Sequence, residues 1–453
     1  MYLPFRATLL LGKAIARIVN KIDRTKGTNI SGKVCTKICK NFIWHFKGID
    51  YNKVIFITGT NGKSTTTNLI AHVLKSSGKV VAVNSQGANM MGGIATVLIK
   101  NSSFNGTFKG DFLVLEVDER SFLDVYKSLP AKNLIITNLQ KDQVQRNGDP
   151  DFIYRKFQKI LNKSMTVYLN NEEPRSKALE DFAGQVIYYG VEKNENSFNK
   201  DDFYDVTMPC PKCNHKIRYD YFNLENIGRF KCSHCEYSSN EKPDYTVTKT
   251  DLENKIITCN EEIYPIRYCT PFYIYDYAAT IAVCKNSGLK YGEISYGLET
   301  FINPGERREI IKYKNKEIHY LRMKQENPET LQSALDTVAA DQKEKAIFIG
   351  LFEVKDFLPY YSNTFYFFDC NFRKIAKTAV EKYIIFSKTV CYDTANRLVY
   401  DGVDKSKMEV YDYEEDVGEI LKKIDNIKTN NIYILTGMKP YNKIKSFLLK
   451  GVA

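Results

Sequence analysis

The sequence predicts an α/β protein with a central domain built around a phosphate-binding loop, followed by a smaller Rossmann-like domain. Short apolar, β-branched runs alternate with helical stretches in both halves of the chain, a pattern that indicates mostly parallel sheets covered by helices. Asn303-Pro304-Gly305 breaks this pattern and is interpreted as a hinge. We therefore expect an N-terminal helical segment over 1–45, a central domain over 46–302 and a C-terminal domain over 303–453.

Length, charge and cysteine content limit the class of protein. The 453 residues are many for one hydrophobic core, and size statistics favour two or three domains. The net charge of +12 suits an anionic partner such as a nucleotide, a phospholipid surface or a nucleic acid, or simply a solvated basic surface. Eleven cysteines without a secretory signal indicate a reducing compartment. We expect a cytoplasmic protein and leave open a position at the inner face of the membrane.

The N-terminal segment contains an apolar run from Ala7 to Ile18, which Arg6, Lys13 and Arg17 punctuate. The run is far short of the ~20 apolar residues that a membrane span needs, and no small-residue cleavage site follows it. Its apolar positions recur at helical spacing. The segment therefore predicts a docking or surface helix, and no transmembrane segment is expected.

A phosphate-binding loop is predicted between a strand and a helix. Val54 to Ile57 has the pattern of a buried parallel strand, and Thr65 to Lys75 that of a helix. Glycines between them let backbone N–H groups turn toward phosphates at the start of the helix. The candidate nucleotide-binding residues are Thr58, Gly59, Thr60, Asn61, Gly62, Lys63, Ser64 and Thr65.

Within this loop, two side chains have predicted roles in the chemistry of ATP. Lys63 would neutralise the β- and γ-phosphates, and the Ser64 hydroxyl would bind Mg²⁺. Ile57 stands where the common form of the motif has its first glycine. An incidental turn between strand and helix is the alternative.

Carboxylates follow a second buried strand, Phe112 to Val117. The carboxyl ends of parallel strands are where ligands of open α/β sheets bind. Glu116 is therefore the candidate to hold Mg²⁺, directly or through water, and to serve catalysis. A solvated acidic strand end is the alternative. A third strand, Asn133 to Thr137, leads into Asn138.

Four cysteines predict an inserted metal site, at about residues 205–242. Cys210 and Cys213 form one C-x-x-C pair, and Cys232 and Cys235 form another after 18 intervening residues. This spacing matches a zinc pattern. Four thiolates close a tetrahedral site, so Zn²⁺ would be structural. Redox chemistry at one of the pairs is the alternative.

A nucleic-acid role has to be weighed, because zinc ribbons combined with basic charge often serve one. Acidic residues interrupt the basic positions of this segment, and no nucleic-acid partner is expected. We expect His215 and His234 to be surface residues rather than metal ligands. Four aromatic residues are expected to pack the knuckle instead of stacking on bases: Tyr219, Tyr221, Phe222 and Phe230.

The second half predicts a smaller α/β domain. Strands are expected at Ala346 to Leu351, Thr364 to Asp369, Tyr383 to Ser387 and Ile432 to Leu435, alternating with helical stretches.

The loop from Thr58 to Thr66 resembles the ATP loop of the Mur ligases and the folylpolyglutamate synthases. Three further segments are similar to one branch, the MurT subunit of lipid II isoglutaminyl synthase: Leu115 to Glu119, Asn138 to Gly148 and Tyr273 to Ala279. Mur ligases phosphorylate a carboxylate to an acyl phosphate, which an amine then attacks. The resemblance implies ATP and Mg²⁺ as cofactors and a role in peptidoglycan biosynthesis and cell shape. Other Mur ligases lack the ribbon that the MurT branch carries.

The resemblance also implies site residues outside the loop. Asn138, Asp276 and either Arg307 or Arg308 are candidates for nucleotide binding. In the MurT branch, part of the C-terminal domain meets the GatD glutaminase subunit, which makes Asp356 and Asp369 candidates for catalysis. Ordinary loop and strand-end acids are the alternative, because 353–359 departs from the aspartate- and glycine-rich stretch of the branch.

Three functions are carried forward. The leading one is amidation of the D-glutamate α-carboxylate in a lipid-linked peptidoglycan precursor, with ammonia from a GatD-like partner. The second is a ligase that joins an amino acid to another carboxylate without a glutaminase. The third is a non-catalytic scaffold that binds ATP. None of the five histidines lies in a recognisable glutaminase motif, so glutamine is expected to serve only through a separate subunit.

Overall fold

The computed structural model divides the chain into two compact units, residues 1–140 with 149–305 and residues 141–148 with 306–453. The residues that it describes are 4–22, 29–84, 88–141, 150–199, 208–304, 308–322, 327–351, 354–355, 362–363, 365–387, 390–412 and 417–450.

The first unit is organised around a nine-stranded sheet with the order β11-β10-β9-β6-β5-β4-β1-β3-β2. Pairing is parallel from β2 to β9, and β10 and β11 add an antiparallel edge. The sheet strands are β1 (Val54–Thr58), β2 (Val81–Val83), β3 (Phe112–Glu116), β4 (Asn133–Ile136), β5 (Thr166–Asn170), β6 (Gln185–Val191), β9 (Tyr245–Asp251), β10 (Ile256–Cys259) and β11 (Glu262–Pro265).

Helices cover both faces of this sheet. Strand β1 is buried along its whole length, and alternate residues enter two separate cores: Val54 and Phe56 one, Ile55 and Ile57 the other. This double burial explains the uninterrupted apolar run of the strand. The helices are α1 (Phe5–Ile22), α2 (Ile30–Ile38), α3 (Lys63–Ser76), α4 (Met91–Lys100), α5 (Phe122–Ser128), α6 (Pro150–Ile160), α7 (Pro174–Lys177), α8 (Pro271–Asn286) and α9 (Tyr291–Thr300).

The cysteine-bearing insertion is a hairpin outside the main sheet. Its strands, β7 (Ile217–Leu224) and β8 (Ile227–Cys232), pair in antiparallel fashion. The hairpin is fastened to the body of the unit, because the Gly228 N–H donates to the Glu172 carbonyl at 3.0 Å.

The second unit contains a six-stranded sheet with the order β12-β13-β19-β14-β17-β18. All neighbours are parallel except the β12–β13 hairpin. The strands of this unit are β12 (Arg308–Tyr313), β13 (Lys316–Arg322), β14 (Lys345–Gly350), β15 (Val354–Lys355), β16 (Ser362–Asn363), β17 (Val380–Phe386), β18 (Met408–Tyr411) and β19 (Asn431–Thr436). The helices are α10 (Pro328–Ala340), α11 (Phe365–Phe368), α12 (Arg373–Ala376), α13 (Cys391–Tyr400), α14 (Val417–Asn426) and α15 (Met438–Lys450).

One predicted strand of this unit is wrong. Residues 365–368, inside the strand expected from Thr364 to Asp369, form the helical turn α11. Consecutive residues Tyr366 and Phe367 are both completely buried in one core, whereas a strand would direct them to opposite faces. The periodicity of a short aromatic run does not distinguish a strand from a helical turn. The other three predicted strands correspond to β14, β17 and β19.

Candidate functional site

The loop between β1 and α3 depends on two glycines with left-handed backbones. Gly59 has φ +122°, and a Cβ there would lie 2.8 Å from the Asn138 carbonyl oxygen. Gly62 has φ +86°, and its Cβ would lie 2.6 Å from Asp276 Oδ1. Both the backbone angles and the close neighbours exclude larger residues. The glycines thus let the loop turn tightly into the N-terminus of α3, where anions are favoured.

The segment after β4 holds this loop in shape. Asn138 Oδ1 accepts from the Asn61 N–H at 2.9 Å, and Asn138 Nδ2 donates to the Asn61 carbonyl at 3.0 Å. The Thr60 N–H donates to the Asn138 carbonyl at 2.8 Å. Gln140 adds an acceptor for Asn61 Nδ2 at 3.0 Å. Asn138, a candidate nucleotide ligand, therefore lies against the loop, and in this structure its amide pairs with the loop backbone.

Lys63 lies at the start of α3 and forms an ion pair with Glu119, with 2.8 Å between Nζ and Oε1. Its Nζ also donates to the carbonyls of Gly59 and Thr60. Burial raises the pKa of Glu119, and the Lys63 ammonium opposes that shift. The ammonium is therefore fixed beside the loop by the carboxylate and two carbonyls, in a pocket that is largely shielded from water.

Ser64 and Glu116 come together from different elements. Ser64 Oγ donates to Glu116 Oε2 at 2.6 Å, and Asn89 Nδ2 donates to Glu116 Oε1 at 2.9 Å. Asn84 fixes the Glu116 backbone, accepting from its N–H at 2.8 Å and donating to its carbonyl at 2.7 Å. A hydroxyl and a carboxylate at this separation are the oxygen ligands that Mg²⁺ prefers. The residues present thus fit a magnesium ion.

Asp276, on α8, approaches the same loop from the other side. Its Oδ1 accepts from Thr66 Oγ1 at 2.7 Å. A cavity beside the loop is lined by Asn61, Asn138, Tyr275, Asp276 and others. The structure therefore brings Asp276, Asn138 and the loop together, while their role in nucleotide binding stays a prediction.

The structure gives less information about the candidate site residues of the second unit. Asp369 forms an ion pair with Lys141 at 3.0 Å, and both side chains are at least a third exposed. Arg308 is the first residue of β12, and its side chain is not among those described. Arg307 and Asp356 lie outside the described residues. Their roles stay predictions.

The four cysteines of the insertion form one cluster. Their sulfurs all lie within 4.8 Å of one another, with 3.8 Å between Cys210 and Cys235 and 3.4 Å between Cys213 and Cys232. A tetrahedral ion with metal–sulfur bonds of about 2.3 Å would set its ligands about 3.8 Å apart. Asn214, directly after the first pair, has φ +62°, which turns the chain at that point. The cluster could therefore hold a metal ion.

The electrostatics of the cluster differ from one sulfur to the next. Burial raises the pKa of the Cys210 thiol to about 12. Burial also raises that of Cys232, but hydrogen bonds from the N–H groups of Cys235 and His234, together with those from the thiols of Cys213 and Cys235, more than offset it and bring the pKa to about 6. A thiolate is the form that binds metal, and the N–H groups of His234 and Cys235, which donate to the Cys232 sulfur, favour that form.

The surroundings of the cluster agree with the sequence. His215 and His234 are exposed and stack on each other at 3.8 Å between ring centroids, outside the group of possible metal ligands. Phe230 is buried and packs with Tyr219, which in turn contacts Phe222. The expectations that the histidines are surface residues and that these aromatics pack the hairpin are confirmed.

Comparisons with known proteins define the family. The Mur ligase middle domain matches residues 57–233, and the MurT ligase C-terminal domain matches residues 325–438, together more than half of the chain. The chain belongs to the Mur ligase family. It is accordingly an ATP-dependent, amide-forming ligase, and its C-terminal unit is of the MurT type.

Individual relatives agree with this assignment. The chain is 28% identical over 376 residues to "Lipid II isoglutaminyl synthase (glutamine-hydrolyzing) subunit MurT" of Staphylococcus aureus (strain COL), covering 82% of this chain and 83% of the relative. A pseudomurein peptide ligase type C from Methanothermus fervidus superposes with a TM-score of 0.66 at 20% identity, over 92% of this chain and 81% of that one. MurF from Acinetobacter baumannii superposes with a TM-score of 0.59 at 13% identity, over 88% of this chain and 76% of that one. These two structures share the fold.

Substitution of Gly59 by alanine tests the loop geometry. A Cβ at this position has no room beside Asn138, so the loop must shift, and we expect weaker ATP binding by about tenfold or more, measured by calorimetry. Gly78→Ala is the matched control, since Gly78 also has a positive φ, +83°, but nothing lies within 4 Å of the added Cβ. Equal affinities in the two variants would contradict the expectation that the clash at Gly59 disturbs the loop.

Proposed function

We propose that this protein uses ATP to amidate the α-carboxylate of a D-glutamate residue in a lipid-linked peptidoglycan precursor, with ammonia released by a GatD-like glutaminase subunit. The observation that carries the proposal is the presence of two hydrogen-bonded pairs at the loop, Lys63 with Glu119 and Ser64 with Glu116. They occur in a chain whose C-terminal unit matches the MurT domain. Relatives named as MurT subunits supply the acceptor and the partner. The acceptor's lipid anchor would set the reaction in the cytoplasm, at the inner face of the membrane.

The chemistry takes two displacements. A carboxylate oxygen of the acceptor attacks the γ-phosphorus of ATP, the bond to the bridging oxygen breaks, and ADP leaves. Ammonia then attacks the carbonyl carbon of the acyl phosphate, the bond to the phosphate oxygen breaks, and inorganic phosphate leaves while nitrogen gives up a proton. No redox partner is needed, and one ATP is consumed for each amide.

The protein's contribution is alignment and fixed charge. Loop N–H groups would cradle the phosphates, and Lys63 would face the charge that develops on the transferred group. Ser64 and Glu116 would hold Mg²⁺, which when bound offsets phosphate charge. Because Lys63 already forms an ion pair with Glu119, ATP would have to draw the ammonium from the carboxylate to its phosphates. Asp276 and Asn138, which contact the loop and α3, would help to fix the nucleotide.

The four cysteines would hold a structural Zn²⁺. Sulfur separations of 3.4 and 3.8 Å support a site for this ion. Its role would be structural because four thiolates leave no open position for a substrate. The site would rigidify the hairpin that β7 and β8 form.

The nature of the nitrogen donor is the direct test. The purified chain is incubated with ATP, Mg²⁺ and a D-glutamyl stem peptide, with either ammonium or glutamine, and the product is identified by mass. We expect ammonium to support amide formation by the chain alone, and glutamine to do so only after a GatD-like subunit is added.

Each other outcome points to a different function. Amide formation from glutamine without the partner would reveal a glutaminase centre in this chain. Incorporation of an amino acid in place of ammonia would favour the ligase without a glutaminase. Tight ATP binding without phosphate release under any condition would favour a scaffold.

A further inference from the structure

Helix α1 combines basic charge with apolar side chains and carries no acidic residue. Over Phe5–Ile22 its charged side chains are Arg6, Lys13, Arg17 and Lys21. In the part of the chain that the structure describes, no helix is long and apolar enough to cross a bilayer. A helix of this composition is typical of segments that lie in the plane of a membrane surface.

One face of α1 is fixed to the protein. Leu9 and Ala16 are buried, and a Cβ on Gly12 would lie 2.6 Å from Cys35 Sγ of α2 and 3.0 Å from Ile99 Cδ1 of α4. Lys13 Nζ donates to the carbonyls of Ile99 and Ser102, both at 2.6 Å. The orientation of the helix about its own axis is therefore set by close backbone packing and by the Lys13 contacts.

The opposite face is exposed and mixes apolar with basic side chains. The exposed fractions are 51% for Leu10, 41% for Leu11 and 58% for Ile18. Arg6 and Arg17 are also exposed. Arg6 and Leu10 are four residues apart, and Leu10 and Arg17, like Leu11 and Ile18, are seven apart, spacings that put the members of each pair on one side of an α-helix. Three large aliphatic side chains are thus held in water beside two guanidinium groups.

Aromatic side chains border this helix. Phe104, 61% exposed, lies 5.6 Å from Lys13 Nζ. Trp44, 64% exposed, adjoins His45, whose ring centroid lies 5.3 Å from that of Phe5, at the start of α1, in a tilted arrangement. Amphipathic aromatic rings favour the boundary between lipid headgroups and acyl chains.

We propose that the exposed face of α1 docks the protein on an anionic phospholipid surface, with Leu10, Leu11 and Ile18 inserted and Arg6 and Arg17 on the headgroups. Charge complementarity selects the occupant: α1 offers only positive charge, and the cytoplasmic leaflet is negative. A nucleic acid would gain nothing from the three aliphatic side chains. This inference deepens the proposed function by naming the surface that brings the site to a lipid-linked acceptor. The biological purpose of this docking rests on the proposed function, whereas binding to the phospholipid surface does not.

Sedimentation with vesicles tests the surface. The full chain is mixed, without ATP, with vesicles of phosphatidylcholine alone or with phosphatidylglycerol added. We expect binding at least about tenfold stronger to the anionic vesicles, weakened by salt. Arg6→Glu/Arg17→Glu and Leu10→Ser/Ile18→Ser should each lower this binding at least about tenfold. Lys75→Glu and Ile263→Ser, changes at exposed residues of the same unit, should leave it unchanged.

The outcomes separate this surface from the ligase chemistry. A Lys63→Ala variant should bind vesicles like the original protein, so loss of turnover and loss of docking are distinguishable. Equal binding to neutral and anionic vesicles, or α1 variants that bind like their controls, would overturn the proposal. So would absence of vesicle binding together with α1 variants that no longer bind the glutaminase subunit, which would assign the face to a protein partner.

Discussion

Replacing Lys63 by alanine should abolish ATP-dependent phosphate release, by at least about 100-fold, as expected when a fixed positive charge facing a transferring phosphoryl group is removed. Glu119 and two loop carbonyls hold the Nζ atom at the loop, so the substitution removes a positive charge that is fixed there. Phosphate release is measured with ammonium and the acceptor peptide present. Lys75→Ala, an exposed change on the same helix, is the control and should retain activity.

A second variant separates lost chemistry from lost folding. Without Lys63, the buried Glu119 would lose its ion-pair partner, and a buried unpaired charge destabilises a protein unless it takes up a proton. The double variant Lys63→Met/Glu119→Gln removes that burden and should fold as judged by circular dichroism. We expect it to be as inactive as Lys63→Ala. Phosphate release at the original rate by either variant would contradict the assignment of the loop.

The strand, loop and helix around Lys63 could be predicted because local sequence determines them. Four apolar residues required a doubly buried strand, and two glycines required a turn that other residues cannot adopt. The observed elements, β1 (Val54–Thr58) and α3 (Lys63–Ser76), begin within two residues of the predicted ones. The cysteine cluster was predictable for the same reason, because the spacing of the two C-x-x-C pairs in the sequence alone predicts that the four sulfurs meet.

The surroundings of Glu116 could not be predicted in the same way. Asn84 and Asn89 reach it from the region after β2, and Gln140 reaches the loop from beyond β4, so no sequence spacing connects these residues. The alternation of side chains along a strand also stops at Glu116, the last residue of β3, so it does not predict where the following carboxylates point. There Asp118 turns back to accept from the Arg120 N–H at 3.0 Å, and Glu119 reaches Lys63 instead. Which carboxylate faces the loop is thus decided by the turn.

Removing the cysteine ligands should eliminate bound zinc. We expect one zinc ion per chain in the original protein and none in Cys210→Ser/Cys213→Ser, measured by elemental analysis after dialysis. Half of the sulfurs would be gone, and two thiolates cannot close a tetrahedral site. Cys269→Ser is the control, because Cys269 is partly exposed and lies outside the cluster. Zinc retained by the double variant, or absent from the original protein, would contradict the site.

The loss of metal should loosen the hairpin while the body of the first unit stays folded. Binding of a structural metal is folding free energy for the segment that surrounds it, and the cluster joins the segment before β7 to the end of β8. The insertion is also anchored by contacts that need no metal: Tyr237 Oη donates to the Pro174 carbonyl at 2.5 Å, and Lys212 pairs with Glu180 at 2.9 Å. We therefore expect faster hydrogen exchange over β7 and β8 in the double variant and unchanged exchange in β1 and α3. Exchange that rises equally across the whole sheet would mean that the metal stabilises the entire unit.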